Sequence, residues 1–235
     1  MPTTPAADAA AVQDTAATRL WPVWSAAVQQ ARMNPQAEIP STVATSLEIA
    51  AYSAVIAAWA ALRRRPGKSA GEVPMRLDDY DFRIKAQQIT DDMMKSVWKT
   101  AVAHVKAQPP ETDKDFAKKA SYSSSAEIMS RAQIAFGKEL GLKYKLWISR
   151  GDEKVRELHR QLHGGISELD KPFKTWASGQ SLSYPGDPKA PLDAIINCRC
   201  LLALVPTKSG AVEAMRPSNL TDAFTIAASL ELEWA

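Results

Sequence analysis

Residues 49–62 read IAAYSAVIAAWAAL, fourteen positions without one charged side chain, and Arg63, Arg64 and Arg65 follow at once. A helix that crosses a bilayer needs about 20 apolar residues, so this run is too short, and too rich in alanine, to serve as a membrane anchor. A helix with no polar face must instead be covered by protein. The chain therefore has to build helix packing around this segment, from its own elements or from a partner's. Ser41 or Thr42 offers an N-cap and Pro66-Gly67 a stop, which predicts a helix over 41–65.

Other segments read less regularly. Residues 1–40 are rich in Ala and Thr, and prolines at 2, 5, 22, 35 and 40 predict an extended arm with one short helix over 21–33. The N-terminus has neither a basic leader nor an apolar core, so no secretory signal is expected. From Leu77 onward, Phe82, Ile89, Met93, Val97 and Val102 recur at helical spacings until Pro109-Pro110, which predicts a helix of about 25 residues. The stretch ETDKDFAKKASYSSS reads as a connecting loop, and Ser125 as the cap of a helix running to about residue 140, closed by Gly141.

Residues 143–205 carry the densest signals. A short strand is expected over 144–148, then Asp152 as N-cap of a helix over 153–163 with Val155, Leu158 and Leu162 on one face, ended by Gly164-Gly165. The segment YPGDPKAP, 184–191, reads as a rigid loop with a type II turn at Pro185-Gly186. A strand over 194–205 would set Ile196, Cys198, Cys200, Leu202 and Leu204 on one face, with Asn197 and Arg199 on the other. A linker over 207–217 and a closing helix from Asn219 or Thr221 complete the chain. The expected fold is α+β and helix-rich, with N-terminal helices before a small helix-plus-sheet unit. Its parts are 1–75, an arm and an Ala-rich helix; 76–120, a long helix and linker; 121–206, the helix-plus-sheet unit; and 207–235, the tail.

Two chemical constellations stand out. His159 and His163, four apart on the expected helix, together with Cys198 and Cys200 supply donors for a tetrahedral zinc site; the alternative makes His159 a buried hydrogen-bonded residue, His163 a C-cap and the thiols core. Arg150, Asp152, Arg156, Asn197 and Arg199 form the second set, with Arg156 four residues after Asp152 and able to pair with it across one helical turn: either an ion-pair network fixing a loop or, with Asp152 as base and His159 as acid, a catalytic pair. No nucleophile, oxyanion donor, phosphate loop or nucleotide fingerprint accompanies them, which favours the network. With only two cysteines, one residue apart, a reducing compartment is expected. The net charge of +3 is too small to imply nucleic-acid binding. Lys143, Lys145, Arg150, Lys154 and Arg160 are the candidate contacts to DNA phosphates, or else part of a solvated mixed face.

In order along the chain, Trp147-Ile148-Ser149, Asp152-Glu153-Lys154-Val155-Arg156, His159, Gly164, Asp170, Phe173, Tyr184-Pro185-Gly186-Asp187-Pro188 and Asn197-Cys198-Arg199-Cys200 resemble the phage head morphogenesis family, the Mu F-like minor head proteins. The similarity covers about residues 125–205. It implies a minor capsid protein of the virion, present in few copies in the head interior near the portal, and in the host cytoplasm during assembly. The implied partners are the portal protein, other head proteins and packaged double-stranded DNA, with a role in packaging or ejection. Trp147, Asp152, Arg156, His159, Asn197, Cys198, Arg199 and Cys200 would then be structural, with no catalytic residue and no required cofactor. The Ala-rich helix would be the portal-docking element. His163 departs from the family pattern, so a zinc site using it would not be general there. The rivals are a zinc-dependent enzyme acting on nucleic acid, with Asp152 or Glu157 as base, and a DNA-binding assembly factor that leaves before maturation.

Overall fold

The computed structural model describes residues 5–36, 38–63, 80–139, 142–175 and 181–205; the linker and closing helix expected beyond 206 lie outside them. Four long helices come first: α1 (Pro5–Met33), α2 (Ser41–Arg63), α3 (Tyr80–Ala107) and, after a 3₁₀ turn at Pro110–Thr112, α4 (Asp113–Glu139). The small elements follow: β1 (Tyr144–Ile148), α5 (Glu157–Leu162), β2 (Ile166–Glu168), β3 (Phe173–Lys174), β4 (Ser181–Leu182), α6 (Leu192–Ile195) and β5 (Leu201–Val205). The architecture is α+β and helix-rich, with the helices N-terminal to a small antiparallel sheet. No helix among the described residues is long and apolar enough to cross a membrane.

The extended arm expected at the N-terminus is instead the 29-residue helix α1. An interior proline costs about 3 kcal/mol, mostly through a lost backbone bond and a clash with the carbonyl four residues back. Here Pro22 and Thr18 both face solvent, where water can take the freed carbonyl. The opposite face buries Ala16, Leu20, Val23, Trp24, Ala27, Val28 and Ala31, and that burial outweighs the proline. Helix α1 packs on α4, α2 and α3. From α2, Val43, Leu47, Ala50, Ala51, Ala54 and Val55 enter the same core, so up to Val55 this face of the apolar helix is covered by its own chain. Arg32 at the end of α1 clamps the α3–α4 corner, donating to the carbonyls of Val105 (2.8 Å) and Gln108 (2.9 Å) and pairing with Asp113.

The ETDKDFAKKASYSSS stretch is not a loop: it enters α4, which begins twelve residues before Ser125. Its serines are buried and bonded rather than solvated. Ser124 Oγ accepts from the Trp24 indole N–H (3.1 Å), Ser123 Oγ donates to the Ile195 carbonyl (2.8 Å) and Ser130 Oγ to the Pro185 carbonyl (3.2 Å). Short polar side chains let irregular backbone approach the helix closely while giving its carbonyls a donor. The sheet order is β2-β1-β5, with Trp147 opposite Leu202 and Tyr144 opposite both Glu168 and Val205. A second cluster, centred on Trp147, Leu162, Phe173, Leu182 and Leu202, fills the space between the sheet, α5 and α4. The Tyr184–Asp187 turn is the type II turn expected, closed by the Asp187 N–H on the Tyr184 carbonyl (3.2 Å) with Gly186 at φ 81°.

Glu127, on α4 beneath that turn, gives the helix a pH dependence. Burial pushes its carboxyl up to about 7, although Arg131 pulls it down. The folded chain thus keeps a proton that the unfolded chain releases near 4.5, and stability falls as pH rises between those values, by about 3 kcal/mol in all. Glu127→Gln is expected to flatten the urea midpoint between pH 5 and 8. An unchanged slope in the variant would assign the effect to other groups.

Candidate functional site

Strand β1 carries Trp147, fully buried, and continues its ladder into the glycine pair: Trp147 N–H donates to the Gly165 carbonyl (3.0 Å) and Gly164 N–H to the Trp147 carbonyl (2.9 Å). Gly164 reaches φ 78°, a value that favours glycine, so the chain can turn from α5 back into β2. Between α6 and β5, residues 196–200 are irregular, which corrects the single strand expected over 194–205. Asn197 adopts φ 57°, a conformation asparagine tolerates better than most side chains, and its N–H donates to the Lys119 carbonyl of α4 (3.1 Å). Cys198 and Cys200 still point into one core, as the alternation suggested, with Leu202 and Leu204 beyond them.

Irregular backbone leaves carbonyls to satisfy, and three side chains from elsewhere do it. Arg156 donates to the Ile196 carbonyl, Arg150 to that of Arg199 (3.1 Å) and Gln13 to that of Cys200 (3.3 Å). Arg150 also reaches Gln13 and Asp14, both at 2.9 Å, so α1 is tied to the loop twice. Arg199 itself pairs with Asp152 at 2.8 Å. The expected pairing of Asp152 with Arg156 does not form, because residues 152–156 make a turn rather than a helix. Helix α5 starts only at Glu157, after an extended Arg156. Asp152 organises that turn, accepting from the Lys154 N–H at 3.1 Å. The catalytic pairing of Asp152 with His159 is not assembled either: Asp152 is held by Arg199 and His159 turns into the core.

His159 faces the two thiols. Its Nδ1 lies 3.5 Å from Cys200 Sγ and 3.9 Å from Cys198 Sγ, and the three residues are only 2%, 3% and 1% exposed. His163, the fourth member of the expected zinc set, is elsewhere: its Nδ1 accepts the Ser149 N–H at 3.0 Å, and burial lowers its pKa. Two histidines four apart share a face only while the helix continues, and α5 ends at Leu162. Within the thiol pair, a hydrogen bond from Cys200, aided by His159, holds Cys198 well below the ordinary thiol range, and the same bond with burial pushes Cys200 well above it. The buried Trp147 indole N–H lies near enough to Cys200 to favour its thiolate, though outside hydrogen-bond geometry.

Compared with known proteins, the chain is similar to the uncharacterized protein YqbB of Bacillus subtilis (strain 168), at 28% identity over 99 residues. The matched part is 41% of this chain and 32% of YqbB, so the chain spans about a third of that relative's length. No family model matches the chain, and no solved structure does.

The basic residues read as candidate DNA contacts separate into two groups. Lys145 is buried, its ammonium donating to the carbonyls of Ser183 (2.8 Å) and Leu169 (3.0 Å) beside the Phe173 ring, and burial pushes its pKa down to about 8. Arg150 is committed to α1 and the 196–200 loop, as above. Neither is placed to meet a phosphate. Lys143, Lys154 and Arg160 remain exposed. Gln13 was invisible as a site residue, yet it stands three, four and seven residues before Ala16, Ala17 and Leu20, on the buried stripe of α1.

Proposed function

We propose that the chain is a non-enzymatic minor head protein of a phage, built into the capsid near the portal vertex and acting in head morphogenesis, with packaged DNA as a further partner. The observation that carries this reading is the convergence of its separated motifs. Trp147, Asp152, Arg156, His159, Asn197, Cys198, Arg199 and Cys200, spread over 54 positions of sequence, all meet at the 196–200 loop or in the core beneath it. Motifs that serve one another's packing fit a structural module whose family pattern is kept for its fold. The exposed Lys143, Lys154 and Arg160 supply the face for DNA phosphates.

Quantitative mass spectrometry of purified particles, referenced to the portal subunit, tests the proposal. A few copies per particle are expected; absence from particles while the lysate contains the chain overturns it. The apolar face of α2 is used inside the bundle, so portal docking falls to its outer face, where Ile49 is 64% exposed. Ile49→Glu is expected to leave the melting temperature within the range of ordinary surface changes and to reduce incorporation into heads. Normal incorporation would remove α2 from the docking surface.

A further inference from the structure

We propose that His159, Cys198 and Cys200 form a structural zinc site. Their ligand atoms, His159 Nδ1 and the two Sγ, lie within 4.8 Å of one another, and they come from an α-helix and from the loop that precedes β5. One imidazole and two thiolates are the borderline-soft donors that suit Zn²⁺ rather than a hard cation, which would seek oxygen. At 3.5 and 3.9 Å from Nδ1, the sulfurs stand at separations that bracket the edge of a tetrahedron with zinc at its centre, given Zn–N of about 2.0 Å and Zn–S of about 2.3 Å.

Two further observations favour an ion over a plain apolar core. The His159 ring packs against Trp147, its Nδ1 meets the two sulfurs, and its buried Nε2 has no hydrogen-bond partner. A neutral histidine whose only polar contacts are two weak ones to sulfur is poorly compensated for its burial, and a metal bond to Nδ1 would offset part of that cost while leaving Nε2 unpaired. The buried Trp147 N–H also lacks a conventional acceptor, and it stands beside Cys200, where a metal-bound thiolate would carry partial negative charge.

Burial decides the role. The ligands are at most 3% exposed, which leaves no route for a substrate, so the ion would pin α5 to the irregular loop and do no chemistry on a ligand. The ion would add to the bonds from Arg156, Arg150 and Gln13 that already hold residues 196–200, which have no strand partner of their own. The three donors leave one coordination position to a donor outside the set. The inference stands whether or not the chain is a head protein.

Cys198 and Cys200 are the only cysteines of the 235 residues, so any thiolate–metal signal from the full chain reports this site. The chain, purified without a polyhistidine tag or chelator, is expected to carry stoichiometric zinc by elemental analysis. Titration with a mercurial reagent should release that zinc in step with both thiols. Exchange with Co²⁺ should give an intense near-ultraviolet thiolate-to-cobalt band and visible absorption of a four-coordinate ion. His159→Ala should shift the visible bands and weaken retention at least tenfold, which a purely structural histidine would not do. Zinc-free protein with two reduced thiols and no cobalt band overturns the proposal. So does a disulfide between Cys198 and Cys200, or zinc retained after both thiols are blocked.

Discussion

Ala54→Glu is expected to unfold the helical half of the chain. Ala54 is 3% exposed in the core shared by α1 and α2, and the core residues around it among the described ones are apolar. Burying an unpaired charge, or displacing the helices to release it, costs more than about 4 kcal/mol, comparable with the entire stability of many domains. Thermal melts followed by circular dichroism, beside those of Ile49→Glu, check this. The two variants add the same charge to the same helix five residues apart, so a shared loss of stability would mean that α2 does not pack as described. A docking experiment that used Ala54 alone would confuse unfolding with loss of a partner.

Gly186→Ala should be nearly as costly, for two separable reasons. The residue sits at φ 81°, where an L side chain costs about 1 kcal/mol. An added Cβ would also stand 2.6 Å from the Ser123 carbonyl oxygen and 2.7 Å from the Glu127 nitrogen, both backbone atoms of α4 that cannot rotate away. Lifting the turn off the helix to relieve that overlap forfeits the Ser130 bond to Pro185 and adds about 1–3 kcal/mol, for a total near 3 kcal/mol. Gly151 is the internal control. It has φ 73° but nothing within 4 Å of an added Cβ, so Gly151→Ala should pay the strain alone. Equal losses for the two variants in urea denaturation would show that the turn does not bear on α4.

These two sites also show where sequence reasoning succeeds and where it stops. Gly186 was legible as a turn residue because Pro-Gly chemistry is local. Its contact with α4 was not, since the facing Ser123 and Glu127 lay in or beside a stretch read as loop. Helices α2 and α3 announce themselves by apolar run and period. Helix α1 hides behind Pro22 and a stripe made mostly of alanine, whose burial becomes visible only with the surfaces that cover it. At the candidate site, His159 and the two thiols were legible as a group, because alternate residues of an irregular loop can share a face as a strand's do. His163 and the Asp152–Arg156 pair failed together. Both rested on a four-residue helical spacing, and only six residues of that segment are helical.

The bond from Gln13 to the Cys200 carbonyl joins positions 187 apart in sequence. A ribosome adding about 5–20 residues per second therefore leaves the inner end of α1 waiting roughly 10–40 s for the loop that completes its surroundings. Throughout that interval Gln13 lacks the carbonyl to which it finally donates, although its apolar neighbours on α1 can already pack against α2, α3 and α4. Gln13→Ala would consequently leave the Cys200 carbonyl without this donor, a defect in the 196–200 loop produced by a change in the first helix.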